Sequence, residues 1–181
     1  KEKLRLRSYG VPTADKPCFL ELKKKYKGIV FKRRISAPYT DIKSYMAGED
    51  NGIENSQILK EIDYFRRFYG CLKPAADIFY DREAFYDRTD SNVRLTFDSN
   101  VLARGWDLEL ENGIYGERVL ENGLYILEVK TSGAMPMWIA EMLNEFKIYP
   151  ISFSKYGTAY KNGLLTRENK KIITLGDEYC A

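Results

Sequence analysis

Three stretches near the start of the chain alternate cationic and apolar side chains. Residues 3–7 read Lys-Leu-Arg-Leu-Arg, residues 19–25 read Phe-Leu-Glu-Leu-Lys-Lys-Lys, and residues 30–34 read Val-Phe-Lys-Arg-Arg. Because a β-strand sends successive side chains to opposite faces, each stretch predicts a strand with one apolar face and one charged face. Several basic faces in one sheet repel one another unless an anionic ligand lies between them. The pattern therefore predicts a sheet whose basic face binds a ligand of the polyphosphate type.

The distribution of charge along the chain supports this interpretation. Residues 1–34 contain 12 Lys and Arg against 3 Asp and Glu, a net charge of +9, whereas the whole chain carries only +3. The other 147 residues therefore carry a net charge of −6. A run of charged residues usually marks a solvated surface. The regular alternation with apolar residues over three consecutive stretches favours a binding face instead.

Length and composition describe one soluble globular domain, which we expect to span residues 1–181. Charged residues make up 30% and aromatic residues 14% of the chain, which is unlike a disordered tail. No apolar run approaches the ~20 residues of a membrane span, and no signal peptide is recognised. The first residue is Lys and the chain opens inside a strand-like pattern, so we expect an N-terminal segment to be missing from these residues.

The cysteine and histidine content restricts the chemistry. Cys18, Cys71 and Cys180 are widely spaced and odd in number, which fits reduced thiols in a cytoplasmic protein better than disulfides or a zinc site. The chain has no histidine, which excludes His-based triads, His-ligated zinc and acid–base catalysis by imidazole. Any reaction must rely on carboxylates, ammonium and guanidinium groups, hydroxyls and a hard metal ion.

Hydrophobic periodicity predicts six or seven strands and few helices. Residues 2–9, 17–26 and 28–36 are predicted to form an antiparallel meander, with a tight turn at residues 27–28. The other predicted elements are a helix from Asn55 or Ser56 to Gly70, strands at 75–86, 93–98, 101–110 and 124–131, and a helix at 134–146.

The predicted fold class is mainly β, of the α+β type. A sheet with charge on one face must leave that face in water or close into a barrel with a polar interior. Burying many cations also requires an anionic ligand and carboxylate partners, because each unpaired buried charge is strongly destabilising. Closure would gather seven cations around one interior: Arg5, Arg7, Lys23, Lys32, Arg82, Arg94 and Lys130.

Six motifs in order resemble the VTC (vacuolar transporter chaperone) domain. They are Lys-Leu-Arg-Leu-Arg-Ser-Tyr-Gly at 3–10, Phe-Leu-Glu-Leu-Lys at 19–23, Tyr-Asp-Arg-Glu at 80–83, Val-Arg-Leu-Thr-Phe-Asp at 93–98, Leu-Glu-Val-Lys at 127–130 and Ser-Phe-Ser-Lys-Tyr-Gly at 152–157. The resemblance implies membership of the triphosphate tunnel metalloenzyme (CYTH-like) superfamily, as a stand-alone bacterial member. It also implies an antiparallel eight-stranded β-barrel tunnel with flanking helices, whose first strand we expect to be missing from this chain.

The resemblance further implies a polyphosphate polymerase, a metal-dependent phosphotransferase that adds the γ-phosphate of ATP to a growing polyphosphate chain. Mn²⁺ or Mg²⁺ is the implied cofactor, with Glu128 as its ligand and Glu21 as a second candidate. Ser152 stands where some members have a lysine, so the resemblance does not imply that lysine's contact to the leaving chain here. The residues implied to act in catalysis are Arg5, Arg7, Lys23, Lys32, Arg82, Arg94, Lys130 and Lys155, and those expected to bind phosphate also include Lys3, Arg34 and Ser154.

Other functions remain open at this point. The same fold could hydrolyse inorganic triphosphate, a nucleoside triphosphate or an RNA 5′ end, and the sequence does not show what attacks the phosphorus. A polyphosphate-binding domain without activity is a third alternative. A nucleic-acid binder is disfavoured because Arg5 and Arg7 alternate with leucine, not with stacking aromatic residues. The expected partners are therefore ATP and polyphosphate or triphosphate, and no nucleic acid.

Overall fold

Eight strands and four helices make up the computed structural model, which describes residues 2–70, 72–165 and the backbone of 173–174. Cys71 and Cys180, two of the three cysteines considered above, lie outside the described residues, and Cys18 is a buried free thiol. The strands are β1 Glu2–Arg7, β2 Pro17–Tyr26, β3 Ile29–Pro38, β4 Asp77–Tyr86, β5 Arg94–Arg104, β6 Tyr115–Arg118, β7 Ile126–Lys130 and β8 Ile173–Thr174. The helices are α1 Tyr39–Ala47, α2 Gln57–Tyr69, α3 Met137–Glu145 and α4 Lys155–Lys161, and a 3₁₀ turn covers Leu110–Asn112.

The chain divides into two compact units. The first contains Lys1–Pro74 together with Glu109–Gly113, and the second contains Ala75–Leu108 together with Ile114–Ala181. Each unit has its own antiparallel sheet, of three strands in the first and five in the second. The expectation of a mainly β chain is therefore confirmed. The hydrogen-bonded pairings of the described strands form these two sheets and do not close an eight-stranded barrel.

The sheet of the first unit is the predicted meander in the order β1-β2-β3. Lys27 and Gly28 form the tight turn between β2 and β3, and both have positive φ angles, of 45° and 83°. Positive φ at both central positions is what a two-residue hairpin turn requires. The apolar members of the alternation lie on one face, where they pack against the buried core of this unit: Leu4, Leu6, Leu20, Leu22 and Ile35.

Two helices cover that apolar face. Helix α2 begins where the Ser56 hydroxyl accepts a hydrogen bond from the Leu59 backbone N–H at 3.2 Å, as predicted. Helix α1 was not predicted, although Ile42 from α1 and Ile62 from α2 are both completely buried against the sheet. The hydroxyl of Tyr45 donates to the Asp63 carboxylate at 2.5 Å and so joins the two helices. Each fully buried isoleucine stabilises such a core by about 1.5–3 kcal/mol.

The sheet of the second unit is organised around β5, the longest strand. Strand β5 pairs with β4 on one side and with both β6 and β7 on the other, at different parts of its length. Between the pairs Phe79–Leu102 and Asp81–Ser99, β5 has two residues where β4 has only Tyr80, so β5 contains a β-bulge. Next to the bulge, Val101 and Ala103 pack with Ala159 of α4, which fixes α4 against the sheet.

Several expected elements differ from those observed. The separate strand predicted at 101–110 is wrong, because β5 runs without interruption to Arg104. Strand β6 and helix α4 were not predicted. Within the described residues, no helix has the length and apolar character needed to cross a membrane.

Candidate functional site

Six basic side chains of the first unit share one face of its sheet. Strand pairing places Lys3 opposite Lys23 and Lys23 opposite Lys32, so three lysines form one row across three strands. The next row contains Arg5, Glu21 and Arg34. Arg7 begins a third row opposite Phe19. Directly opposite residues in an antiparallel sheet point to the same side. The predicted basic face, with Lys3, Arg5, Arg7, Lys23, Lys32 and Arg34, is therefore formed.

A single buried carboxylate holds several of these cations. The side chain of Glu21 is 2% exposed, and its Oε1 lies 2.7 Å from Nζ of Lys32 and 3.9 Å from Nη1 of Arg34. Its Oε2 accepts a hydrogen bond from Nε of Arg5 at 3.0 Å and also contacts Nη2 of that guanidinium. The three partners come from the strands on either side and are each nearly half exposed. Glu21 thus fixes their charged heads while leaving them accessible.

The electrostatics of this cluster keep Glu21 ionised. Burial by itself would raise the pKa of the Glu21 carboxyl, but the hydrogen bonds from Lys32 and Arg5 outweigh burial and hold that pKa below its ordinary value. The ring of Phe19 supports the guanidinium of Arg34, whose Cζ lies 4.4 Å from the ring centroid. The face therefore keeps an excess of positive charge around one fixed negative charge.

The second unit carries a corresponding face on β4, β5 and β7. Arg94 of β5 lies opposite Lys130 of β7, and Thr96 lies opposite Glu128. On the other side of β5, Arg82 of β4 lies opposite Asp98. These residues occupy every second position of β5 and β7, and their partners lie directly opposite them on the neighbouring strand. All of these side chains therefore lie on the same face of the sheet.

Asp98 is the buried carboxylate of this second face. Its side chain is 2% exposed and accepts hydrogen bonds from Nε and Nη2 of Arg82 at 2.5 and 2.6 Å. Its Oδ2 also lies 2.5 Å from Nζ of Lys155, the first residue of α4. Burial by itself would raise the pKa of Asp98, but the hydrogen bonds from Arg82 and Lys155 hold that pKa below its ordinary value. The same pairing raises the pKa of the Arg82 guanidinium.

Comparison with known proteins identifies the family. The VTC domain family model matches residues 1–163, which covers most of the 181-residue chain. The chain belongs to the VTC domain family. No curated protein matches the chain. The predicted resemblance to the VTC domain is thereby confirmed.

One VTC-domain motif lies at the start of α4. Ser154 is the N-cap of this helix, and its hydroxyl oxygen accepts a hydrogen bond from the Gly157 backbone N–H at 3.2 Å. The cap uses the oxygen as an acceptor, so the hydroxyl hydrogen can still be donated to another group. Lys155 follows directly and reaches the face of the sheet through Asp98.

The carboxylate of Glu128, which is expected to hold a metal ion, is more exposed than those of Glu21 and Asp98. The Glu128 side chain is 45% exposed, and its oxygens lie 3.2 Å from Nζ of Lys130 and 3.8 Å from Nη2 of Arg82. No group of three or more acidic, cysteine or histidine side chains suited to a metal occurs in the described residues. Mg²⁺ is often bound by only one or two carboxylates, with substrate phosphates and water completing the octahedron. An accessible carboxylate among cations that are predicted to bind phosphate fits that type of site.

Glu21 fits a metal site less well than Glu128. It is almost completely buried, and three cations already surround its two oxygens. A divalent cation would have to displace them against their mutual repulsion. The partners of Glu21 lie on β1 and β3, because the strand register brings them close to its carboxylate.

Asp98 and Tyr80, which both contact Arg82 and Lys155 in the second unit of this VTC domain, were not among the predicted site residues. Asp98 ends the motif at 93–98 and alternates with Arg94 and Thr96, so strand periodicity already places it on the basic face. The ring of Tyr80 lies beneath both Arg82 and Lys155, with their charged groups 5.1 and 4.5 Å from its centroid. Tyr80 also alternates with Arg82 along β4, which is the signal that could have identified it.

Proposed function

We propose that this VTC domain is a polyphosphate polymerase, which transfers the γ-phosphate of ATP to the end of a growing polyphosphate chain. Membership of the family supports a function connected with polyphosphate. Opposed cations on the sheet face of each unit support the binding of a polyanion, whose charges repeat at every phosphate.

The observation that carries the proposal is the row of Lys3, Lys23 and Lys32. These three lysines lie directly opposite one another on adjacent strands, and the row of Arg5, Glu21 and Arg34 follows it. Like charges directly opposite one another destabilise a sheet. A protein gains from such an arrangement when a ligand supplies compensating negative charge, and a chain of phosphates supplies it along a line.

In this proposal the arginines orient phosphate groups. A guanidinium presents its N–H donors as a planar fork that matches two phosphate oxygens. Arg5 and Arg82 each use part of that fork on a buried carboxylate, which fixes the direction of the remaining donors. The Nε of Arg94 is buried and has no hydrogen-bond partner among the described residues. A phosphate oxygen would satisfy this donor, which otherwise carries a desolvation penalty.

Phosphoryl transfer mainly requires that the protein position the reacting groups and stabilise negative charge on the transferred phosphoryl group. Lys130, Lys155 and Arg94 would provide that charge in the second unit. Glu128 would hold Mn²⁺ or Mg²⁺ together with phosphate oxygens, and the metal ion would neutralise charge on those oxygens. The closed eight-stranded tunnel implied by the resemblance stays a prediction of this proposal.

The experiment is an incubation of the purified protein with ATP and Mn²⁺, followed by gel electrophoresis and staining for polyphosphate. We expect ADP and a ladder of polyphosphate chains to form together. Release of orthophosphate without chains would instead identify a triphosphatase. Binding of triphosphate without turnover would identify a polyphosphate-binding domain. A folded protein that forms no chains, releases no orthophosphate and does not bind triphosphate would contradict the proposal.

A matched pair of variants connects the activity to the basic face. Arg34 lies on that face beside Glu21, whereas the adjacent Arg33 lies on the other face and pairs with Glu61 at 3.1 Å. We expect Arg34→Ala to reduce chain synthesis and Arg33→Ala to leave it nearly unchanged. Equal losses in both variants would show that the face is not the binding surface.

A further inference from the structure

Two cationic side chains, Arg82 and Lys155, already bind the carboxylate of Asp98. Both of its carboxylate oxygens accept short hydrogen bonds, one from Nε of Arg82 and the other from Nη2 of Arg82 and Nζ of Lys155. The carboxylate is 2% exposed. A hard cation placed here would compete with two cations that already use both oxygens, so Asp98 is a poor metal ligand.

We propose that Asp98 is a positioning residue, which holds Arg82 and Lys155 side by side so that their remaining donors address one phosphate group of the substrate. The proposal rests on the function proposed above and assigns a role within the same site. Asp98 itself does not touch the reacting atoms, and it acts only through its two partners.

The number of donors supports this role. A guanidinium has five N–H donors and an ammonium has three. Asp98 engages two donors of Arg82 and one of Lys155. Most donors therefore remain for other acceptors, while the positions of the charged heads are fixed. The Tyr80 ring beneath both heads restricts them from a second side.

The charges lead to the same conclusion. One carboxylate and two cations leave a net charge of +1, so the group still attracts an anion after its internal pairing. Arg82 and Lys155 have long side chains that lose rotamer freedom when a ligand orders them. Because Asp98 orders them beforehand, less of that entropy is lost on binding, and the geometry needed for transfer is already present.

Lys155 depends on Asp98 in particular because of its place in the fold. It is the first residue of the short helix α4, whereas Arg82 lies on β4 and Asp98 on β5. The Asp98–Lys155 pair is thus a polar connection between the helix and the sheet, in addition to the apolar packing of Ala159 against Val101 and Ala103. Since that packing does not involve Asp98, we expect α4 to remain in place when the carboxylate is removed.

The test compares Asp98→Asn, Asp98→Glu and the control Asp81→Asn. Asp81 lies on the same sheet, is exposed and accepts a hydrogen bond from the side chain of Asn100 at 2.9 Å. It therefore controls for the loss of one carboxylate. The measurements are triphosphate binding by calorimetry, kcat and KM for chain synthesis, and the rate at which an amine-reactive reagent labels Lys155, read by mass spectrometry.

We expect Asp98→Asn to lower kcat about 10- to 100-fold, because misplaced groups lose most of the benefit of orientation. Triphosphate binding should be retained or become tighter, since the group gains a net positive charge. Lys155 should be labelled several times faster, and Asp98→Glu should recover part of kcat. Asp81→Asn should behave like the unaltered protein in all three measurements.

Unchanged kcat together with unchanged labelling of Lys155 in folded Asp98→Asn would overturn the positioning role. A parallel loss of kcat, binding and thermal stability, without recovery in Asp98→Glu, would also overturn it, because it would indicate a purely structural residue. If Asp98→Asn does not fold, the same measurements on Asp98→Glu decide between these outcomes. Failure of the proposed function is recognised separately, by unaltered protein that neither binds triphosphate nor forms chains. In that case the labelling of Lys155 still tests whether Asp98 restrains it.

Discussion

Lys23 and Lys32 lie directly opposite each other on β2 and β3, with both ammonium groups on the face that carries Glu21. Lys32 contacts Glu21 at 2.7 Å, so one negative charge lies beside a row of three lysines. Neighbouring lysines on the same strand lie on opposite faces and can be compared directly.

Lys23→Ala should weaken the binding of triphosphate, whereas Lys24→Ala should not. A hydrogen bond to a charged group contributes about 1.5–3 kcal/mol, so loss of Lys23 should weaken binding by about 10- to 100-fold. Lys24 lies on the opposite face, where its Nζ pairs with Glu2 at 2.5 Å. Isothermal titration of each variant with triphosphate measures the difference. Equal affinities in the two variants would exclude Lys23 from the binding surface.

Glu128→Gln should abolish metal-dependent turnover while the fold and part of the triphosphate binding remain. Glutamine preserves size and hydrogen bonding but removes the charge that a divalent ion needs. A metal ion contributes several kcal/mol of charge stabilisation, so we expect a loss of about 100-fold or more in rate. The control is Glu83→Gln, because Glu83 pairs with Phe97 and therefore lies on the other face of the same sheet. Full activity of Glu128→Gln with Mn²⁺ would place the metal elsewhere.

The basic faces could be predicted from the sequence because strand periodicity is two. Once residues 3–7 and 19–25 form strands, Arg5 and Lys23 must lie on the face opposite to their leucine neighbours. The carboxylate partners could not be predicted in the same way. The partners of Glu21 depend on the register between strands, which brings Arg5 and Lys32 to it from two different strands.

Irregular local structure explains most of the elements that the sequence did not predict. Asn100 has a φ angle of 48° and lies in the β-bulge of β5, so the alternation of side chains breaks there although the strand continues. Strand β6 contains Gly116, a residue type that indicates a turn in a sequence. Helix α1 has only nine residues and weak helix formers, and its buried positions Tyr39, Ile42 and Tyr45 hold it by packing.

Gly105→Ala should destabilise the second unit, and Gly133→Ala should not. A Cβ at Gly105 would overlap the carbonyl oxygen of Leu165 and lie 2.5 Å from its carbonyl carbon, so the backbone itself would have to move. Forced displacement of a packed group costs about 1–3 kcal/mol. A Cβ at Gly133 meets nothing within 4 Å. Thermal unfolding followed by circular dichroism compares the two, and an unchanged melting temperature in Gly105→Ala would contradict this close approach.

The buried carboxylates should make the protein lose stability in acid. The pKa of Glu21 lies below its ordinary value of 4.5 and that of Asp98 lies below 3.8, so both carboxyls hold protons less tightly in the folded state than in the unfolded state. Their contribution to the free energy of unfolding is therefore complete above these ordinary values and is lost as the pH falls through the lowered pKa values. Melting temperatures measured from pH 7 to pH 2 should vary little from these groups above about pH 5 and then fall steeply.

Glu21→Gln tests the share of one carboxylate in that decline. Near neutral pH the variant should be less stable by about 1–3 kcal/mol, since Arg5 and Lys32 lose their charged acceptor. In acid the difference should shrink, because the unaltered protein then carries a protonated Glu21 as well. The two curves of melting temperature against pH should therefore converge below pH 4.5, the ordinary value for this carboxyl. Parallel curves over the whole range would show that the pKa of Glu21 is not lowered by Arg5 and Lys32. The basic face would then lack the buried negative charge that holds its cations in place.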